Sequence, residues 1–306
     1  MTLYISNSSL GVLTSCPRRF MYQYTQPVRQ DTMATLVGTA MHQGIQEWAL
    51  SGDRDRAYTA LLHAYPFDKW LEESSSSKAK RSITSCMTAL DAAMDGISYS
   101  GLRLMDINGK PANELDFALT LSTPALKYPL CYTGSIDSIY LQADDSILVC
   151  DYKTTTRPVD LTAAMYRNSN QAVMYALILS AALGIKPTDI YYQYAIIEMT
   201  DKIPTFCMHA KPITDEAVSE AVATLKTMSL WISSMLDSHF FPKSSSSCIN
   251  YNRLCSHYDR CTAGACILAA DTDELLSRVC SDEPEYRYTY LGSDKTDYDL
   301  KGTLQI

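Results

Sequence analysis

The stretch GSIDSIYLQADDSILVCDYK, Gly134 to Lys153, decides the fold. Asp144, Asp145 and Ser146 mark a polar turn between two strands. The second strand is an apolar run, Ile147-Leu148-Val149-Cys150, that stops at Asp151-Tyr152-Lys153. Side chains alternate along a strand, so Asp151 and Lys153 share a face and Tyr152 points away. If the strands pair, Asp137 comes beside Asp151. Adjacent carboxylates repel, and a divalent cation between them removes the repulsion. Mg²⁺ or Mn²⁺ prefers such oxygen ligands and keeps several waters, one of which Lys153 could orient or deprotonate. From these residues alone, a turn-closing Asp137 and an ordinary strand-end pair of Asp151 with Lys153 is an equally good reading.

The rest of the composition sets bounds. At 306 residues the chain can hold one large domain or two small ones. No apolar run approaches the ~20 residues of a membrane span. The start, MTLYISNSSLGVLTSCPRRF, lacks a basic-then-apolar export signal, which implies a cytoplasmic protein. The net charge of -8 argues against broad coating of nucleic acid, though not against a local basic groove. The ten cysteines are too irregular for a disulfide scaffold. Cys248, Cys255, Cys261 and Cys266 crowd one polar loop, and the C-x₆-C-x₅-C spacing of the first three suits a metal or cluster better than a core.

Outward from the central stretch, periodicity alternates between helix and strand. Residues 7 to 24 read as a helix capped by Asn7 or Ser8, bent or restarted at Pro17. Within it, Cys16 alone reads as a small buried hydrophobe, and Arg18 and Arg19, with Arg29 beyond, suit either phosphate contacts or a solvated face. A second helix, capped by Asp31, carries Gly38 and His42 on one face; taken singly, His42 is a packing or surface histidine. Residues 53 to 65 and 78 to 97 read as amphipathic helices, with His63 and Cys86 as packing. Glu114 to Leu121 alternates strictly, a strand with one buried face and with Glu114 and Asp116 on the other. A helix from Leu161 to Leu183, capped by Asp160 and ended by Gly184, puts Gln171 and Tyr175 one turn apart. It bridges to a strand at Asp189 to Met199, a βαβ-like crossover. Thr214 caps a long helix ending near Leu236. The tail from Asp271 is charged and Tyr-rich. No G-x-x-x-x-G-K-[ST] phosphate loop is present.

His42 in GTAMH, Glu114 in ELDF, Asp137 in GSID, Asp151 and Lys153 in DYK, and Gln171 and Tyr175 in QAVMY follow one another in the order of a known family. The chain resembles the PD-(D/E)XK nuclease superfamily, in its RecB-like branch, over about residues 10 to 265. Cys16 with the three late cysteines resembles the iron–sulfur subset of that branch, which includes AddB-type and CRISPR-adaptation nucleases. The FPKSSSSC segment with its two later cysteines looks most like phage-encoded stand-alone members. Cys248 and Cys255 are spaced more widely than the C-x₂-C of relatives, and Cys266 is an extra candidate ligand.

The resemblance implies an α/β fold with a central mixed sheet flanked by helices, its N- and C-terminal segments joined by a cysteine-ligated cluster. It implies a single nuclease domain over 1–306. Within it, 1–110 is mainly helical, 111–200 is the catalytic core, 201–270 carries a helix and the cluster loop, and 271–306 is a tail. Asp137, Asp151, His42 and the Tyr152 carbonyl would hold Mg²⁺ or Mn²⁺, with Glu114, Lys153, Gln171 and Tyr175 completing catalysis. Cys16, Cys248, Cys255 and Cys261 would bind a 4Fe–4S cluster, with zinc as the alternative. The implied reaction is hydrolysis of DNA, by an exonuclease of phage recombination or replication in the host cytoplasm, beside a separate helicase or annealing protein. A CRISPR-adaptation nuclease and a non-catalytic iron–sulfur or zinc DNA-binding module are the alternatives.

Overall fold

A computed structural model of the protein describes residues 3–25, 32–122, 130–167, 169–250, 253–262 and 298–305. In chain order its strands are β1 (Leu3–Ile5), β2 (Arg103–Leu104), β3 (Asp106–Ile107), β4 (Lys110–Pro111), β5 (Asn113–Ser122), β6 (Leu130–Leu141), β7 (Ile147–Thr155), β8 (Ile190–Glu198), β9 (Thr205–Ala210), β10 (Ile249–Asn250), β11 (Arg253–Leu254) and β12 (Leu300–Gln305). The helices are α1 (Asn7–Ser15), α2 (Pro17–Thr25), α3 (Met33–Ser51), α4 (Arg54–Ala64), α5 (Phe67–Glu72), α6 (Ile83–Tyr99), α7 (Val159–Arg167), α8 (Gln171–Leu183), α9 (Asp215–Asp237) and α10 (Tyr258–Thr262). Contacts group the chain into two units. One comprises Met1–Arg29, Asp116–Gly134 and Ser219–Ile306; the other comprises Gln30–Leu115 and Ser135–Val218.

The second unit holds the central stretch. β6 and β7 pair antiparallel from Ser138↔Cys150 to Leu141↔Ile147. β7 pairs parallel with β8 over nine positions, Ile147↔Ile190 to Thr155↔Glu198, and β9 closes antiparallel on β8. The sheet is therefore mixed, and the parallel pair needs the crossover that α7 and α8 supply. On one face α3, α4 and α6 bury Met41, Ile45, Leu61, Leu90 and Met94 against Tyr140, Leu148, Cys150, Tyr152, Ala195 and Ile197. Cys86 belongs to this core, as its position in the helical pattern suggested, whereas His63 is exposed. A Cβ on Gly96 of α6 would overlap the Phe206 ring of β9, so any larger residue there must displace that ring.

Local chemistry sets the helix ends. Thr32 caps α3 by accepting the Thr35 N–H; the expected cap, Asp31, lies outside the described residues. Asp53 caps α4 and Ser82 caps α6. The single helix expected from Leu161 to Leu183 is two. Ser169 N–H bonds the Tyr166 carbonyl, and its hydroxyl takes the Gln171 N–H, so local side-chain bonding competes with helix continuation. Asp160 sits in the first turn of α7 rather than at its cap, and Gln171 opens α8. Helix α5 and strand β9 had no counterpart in the sequence reading.

In the first unit, Ser6 caps α1 with a reciprocal box to Ser9. Cys16 is extended (φ -160°), and Pro17 opens α2, where its missing N–H costs nothing. β12 runs parallel to β5, Leu300↔Phe117 to Gln305↔Ser122, and β1 runs parallel to β6, Leu3↔Leu130 to Ile5↔Tyr132. Residues 115 to 119 of β5 are all buried, so both faces of this strand are covered rather than the one its alternation suggests. Asp116 is itself buried, its N–H bonded to Asp299 Oδ2 at 3.0 Å.

Candidate active site

Seven side chains expected from sequence lie in the second unit and form two connected groups. His42, Glu114 and Asp137 each bring a ligand atom within 4.8 Å of the others. His42 Nδ1 lies 3.7 Å from Asp137 Oδ1. Ser135 Oγ donates to Glu114 Oε2 at 3.2 Å. Glu114 has φ +51°, a conformation unfavourable for a residue with a Cβ, and it departs from the regular strand that would set it on one face with Asp116. Gly38, one turn before His42, faces β7, but a Cβ there would meet Thr154 Oγ1 at 3.4 Å, a contact a larger residue tolerates.

The second group closes around Asp151, which is 1% exposed. Its Oδ2 pairs with Lys153 Nζ, and its Oδ1 accepts from Gln171 Nε2 at 3.0 Å. Gln171 Nε2 also reaches Tyr175 Oη at 2.9 Å, and that hydroxyl donates to the Ser135 carbonyl at 2.8 Å. The groups meet at Asp137, whose Oδ2 accepts the Tyr152 N–H at 2.7 Å. Continuing the β6–β7 register by one residue sets Asp137 opposite Asp151. The Tyr152 side chain turns to the other face, where its hydroxyl bonds Tyr140 at 2.7 Å. Sequence reading missed Ser135, which joins the groups; its position two before Asp137, hence on the same strand face, was the available signal.

Electrostatics follows from burial. Desolvation pushes the Asp151 carboxyl above its ordinary value, the Asp137 charge adds to that, and Lys153 opposes it. For Lys153, burial opposes the charged form, but the Asp151 and Asp137 carboxylates outweigh it and hold the ammonium above its usual range. The Lys153 Nζ lies 5.3 Å from the centre of the Tyr166 ring. The imidazole and carboxylates of His42, Glu114 and Asp137 are hard or borderline donors suited to Mg²⁺ or Mn²⁺. His42 is 27% exposed, which leaves a way in for an ion.

In the first unit, Cys16, Cys248, Cys255 and Cys261 line one cavity with Arg18, Arg19, Lys243 and His257. All four thiols are free. The β10–β11 hairpin brings Cys248 and Cys255 together, with Cys255 N–H bonded to the Cys248 carbonyl at 2.8 Å. Arg18 N–H bonds the Pro242 carbonyl, Arg18 Nε the Phe241 carbonyl, and Ser247 Oγ the Ser15 carbonyl, which tie the start of the chain to this loop. Arg18 is buried and serves this tie, not a solvated helix face. Burial, Arg19 and Arg260 all lower the His257 pKa. Cys266 lies outside the described residues.

A model of the PD-(D/E)XK nuclease superfamily matches residues 4–262. A crystal structure described as a "Putative exonuclease" from Eubacterium rectale superimposes with a TM-score of 0.51 at 12% identity, covering 84% of this chain and 87% of that one. A second, described as SSO0001, gives a TM-score of 0.33 at 11% identity over 74% and 77%. No curated protein sequence matches. No helix among the described residues is long and apolar enough to cross a membrane.

Proposed function

Because the chain belongs to the PD-(D/E)XK nuclease superfamily, we propose that it is a divalent-metal-dependent deoxyribonuclease working at the β6–β7 strand ends. The observation that carries this reading is the convergence of His42, Glu114 and Asp137 beside the buried Asp151–Lys153 pair. His42, Glu114 and Asp137 would hold Mg²⁺ or Mn²⁺, with Asp151 and the Tyr152 carbonyl as further ligands. Such an ion supplies Lewis acidity to a phosphoryl oxygen and offsets charge developing there. Lys153, kept charged by its two carboxylates, acts as a donor: it orients the attacking water or steadies the phosphoryl oxygen. Gln171 keeps Asp151 turned toward Lys153, and Tyr175 braces Gln171 against β6. A water oxygen bonds phosphorus as the bond to the sugar oxygen breaks; the attacking water gives up a proton to solvent and the departing oxygen takes one from solvent.

Within this reading the enzyme is an exonuclease acting on DNA ends in phage recombination or replication. Cys16, Cys248, Cys255 and Cys261 would hold a 4Fe–4S cluster, with zinc as the alternative, and their lining of one cavity supports a shared metal centre. Arg18, Arg19 and Lys243 offset thiolate charge. Digestion of end-labelled single- and double-stranded DNA tests the activity. Stepwise loss of label with Mn²⁺, abolished by chelator, is expected; full activity in excess chelator would overturn the mechanism.

A further inference from the structure

His42, Glu114 and Asp137 come from α3, β5 and β6, and one side chain outside the trio reaches all three elements. Asn113 Nδ2 donates to the Gln46 carbonyl at 3.1 Å, one turn after His42 on α3. Asn113 Oδ1 accepts from Ser138 Oγ at 3.0 Å, the residue next to Asp137. Its own carbonyl carbon is bonded to Glu114. A carboxamide offers a donor and an acceptor on one rigid plane, which a carboxylate or a hydroxyl of the same reach does not. The next residue, Glu114, carries the unfavourable φ of +51°. Such a conformation persists only where its surroundings over-determine it. On the near side, the Ala112 carbonyl accepts the Ile139 N–H at 2.8 Å. On the far side, Ser135 holds the Glu114 carboxylate.

We propose that Asn113 is a positioning residue that sets the mutual spacing of His42, Glu114 and Asp137 by tying α3 and β6 to the strand residue before Glu114. This rests on the reading of that trio as a divalent-cation site. A residue serving the fold alone would lower thermal stability in chelator and leave the affinity for the ion unchanged. A residue that sets ligand spacing lowers the affinity itself, on the scale of about 10–100-fold seen when partners of metal ligands are removed.

The test is Mn²⁺ affinity by calorimetry on the full chain, with melting in excess chelator, for wild type, Asn113→Ala, Asn113→Asp, Ser138→Ala and Asp137→Asn. Asn113→Ala should bind Mn²⁺ about 10–100-fold more weakly. Asn113→Asp keeps the acceptor for Ser138 but loses the donor to Gln46, and Ser138→Ala does the reverse; both should fall between Asn113→Ala and wild type. If Asp137→Asn loses Mn²⁺ while the Asn113 and Ser138 variants bind as wild type, the positioning role is overturned and the cation site stands. If wild type binds no Mn²⁺, or Asp137→Asn binds it equally well, the site reading fails and takes this role with it. Should Asn113→Ala not fold, wild-type affinity in both Asn113→Asp and Ser138→Ala still overturns the proposal.

Discussion

The acidic site and the cysteine cavity are built by opposite means. The acidic site draws its side chains from strand ends and helix turns; hydrogen bonds hold Glu114, Asp137, Asp151, Gln171 and Tyr175, and an ion pair with Asp151 holds Lys153. The cysteine cavity draws three of its four thiols from a short hairpin and a five-residue helix, held to α1 and α2 by a few hydrogen bonds. A sheet can preorganise ligands without the ion, because the ladder supplies the ordering free energy. Short loops cannot, so there a bound group would itself supply much of the order.

That contrast can be broken at either side. Lys153→Ala should reduce DNA hydrolysis at least ~10³-fold, the scale of removing a major electrostatic element, with the metal content of the cysteine cavity unchanged. Near-normal cleavage of labelled DNA would refute the site. Cys16→Ser should strip iron and brown absorbance from anaerobically prepared protein. Cys16 and Cys248 close a very long loop, so losing the link should cost roughly 4–5 kcal/mol in denaturant unfolding. Full metal retention would make Cys16 an ordinary buried thiol. Cys86→Ser, in the core of the other unit, should leave metal content unchanged.

Two smaller perturbations sharpen the comparison by loading the scaffold alone. Gly96→Ala forces a methyl into the Phe206 ring and should cost about 1–3 kcal/mol by the overpacking range. Thr32→Ala removes the α3 cap and should cost about 1 kcal/mol. If preorganisation comes from the sheet, both should lower the melting midpoint while changing kcat at 25 °C by less than about threefold, well inside one 1.36 kcal/mol step. A large kcat loss from Thr32→Ala would mean that α3 places His42 through its first turn.

How much could be read in advance depends on where the information resides. The β6–β7 hairpin and the face shared by Asp151 and Lys153 are consequences of period-two alternation, which is local. The Gln171–Tyr175 pairing is a consequence of helical spacing, also local. The break before Gln171 was written in Asn168-Ser169-Asn170, a breaker cluster passed over because apolar residues flank it at helical spacing. The φ of Glu114 was not written locally at all: Leu115, Phe117, Leu119 and Leu121 read as an unbroken strand, whereas the bonds of the neighbouring Asn113 to Gln46 of α3 and Ser138 of β6 join residues far apart in sequence. β9 escaped because its residues are half-exposed and show no alternation.

The parallel pairing of β7 with β8 has a consequence in time. Each of its nine pairs joins residues 43 positions apart, with α7 and α8 between them. Contacts of this separation form late, after loop closure has been met by other gains. During synthesis, a nascent chain that has emerged only to Leu183 already carries His42, Glu114, Asp137, Asp151, Lys153, Gln171 and Tyr175. It lacks β8, the strand that pairs with β7 from Ile147 to Thr155. On the proposed reading, hydrolytic competence would wait for completion of the β7–β8 pairing.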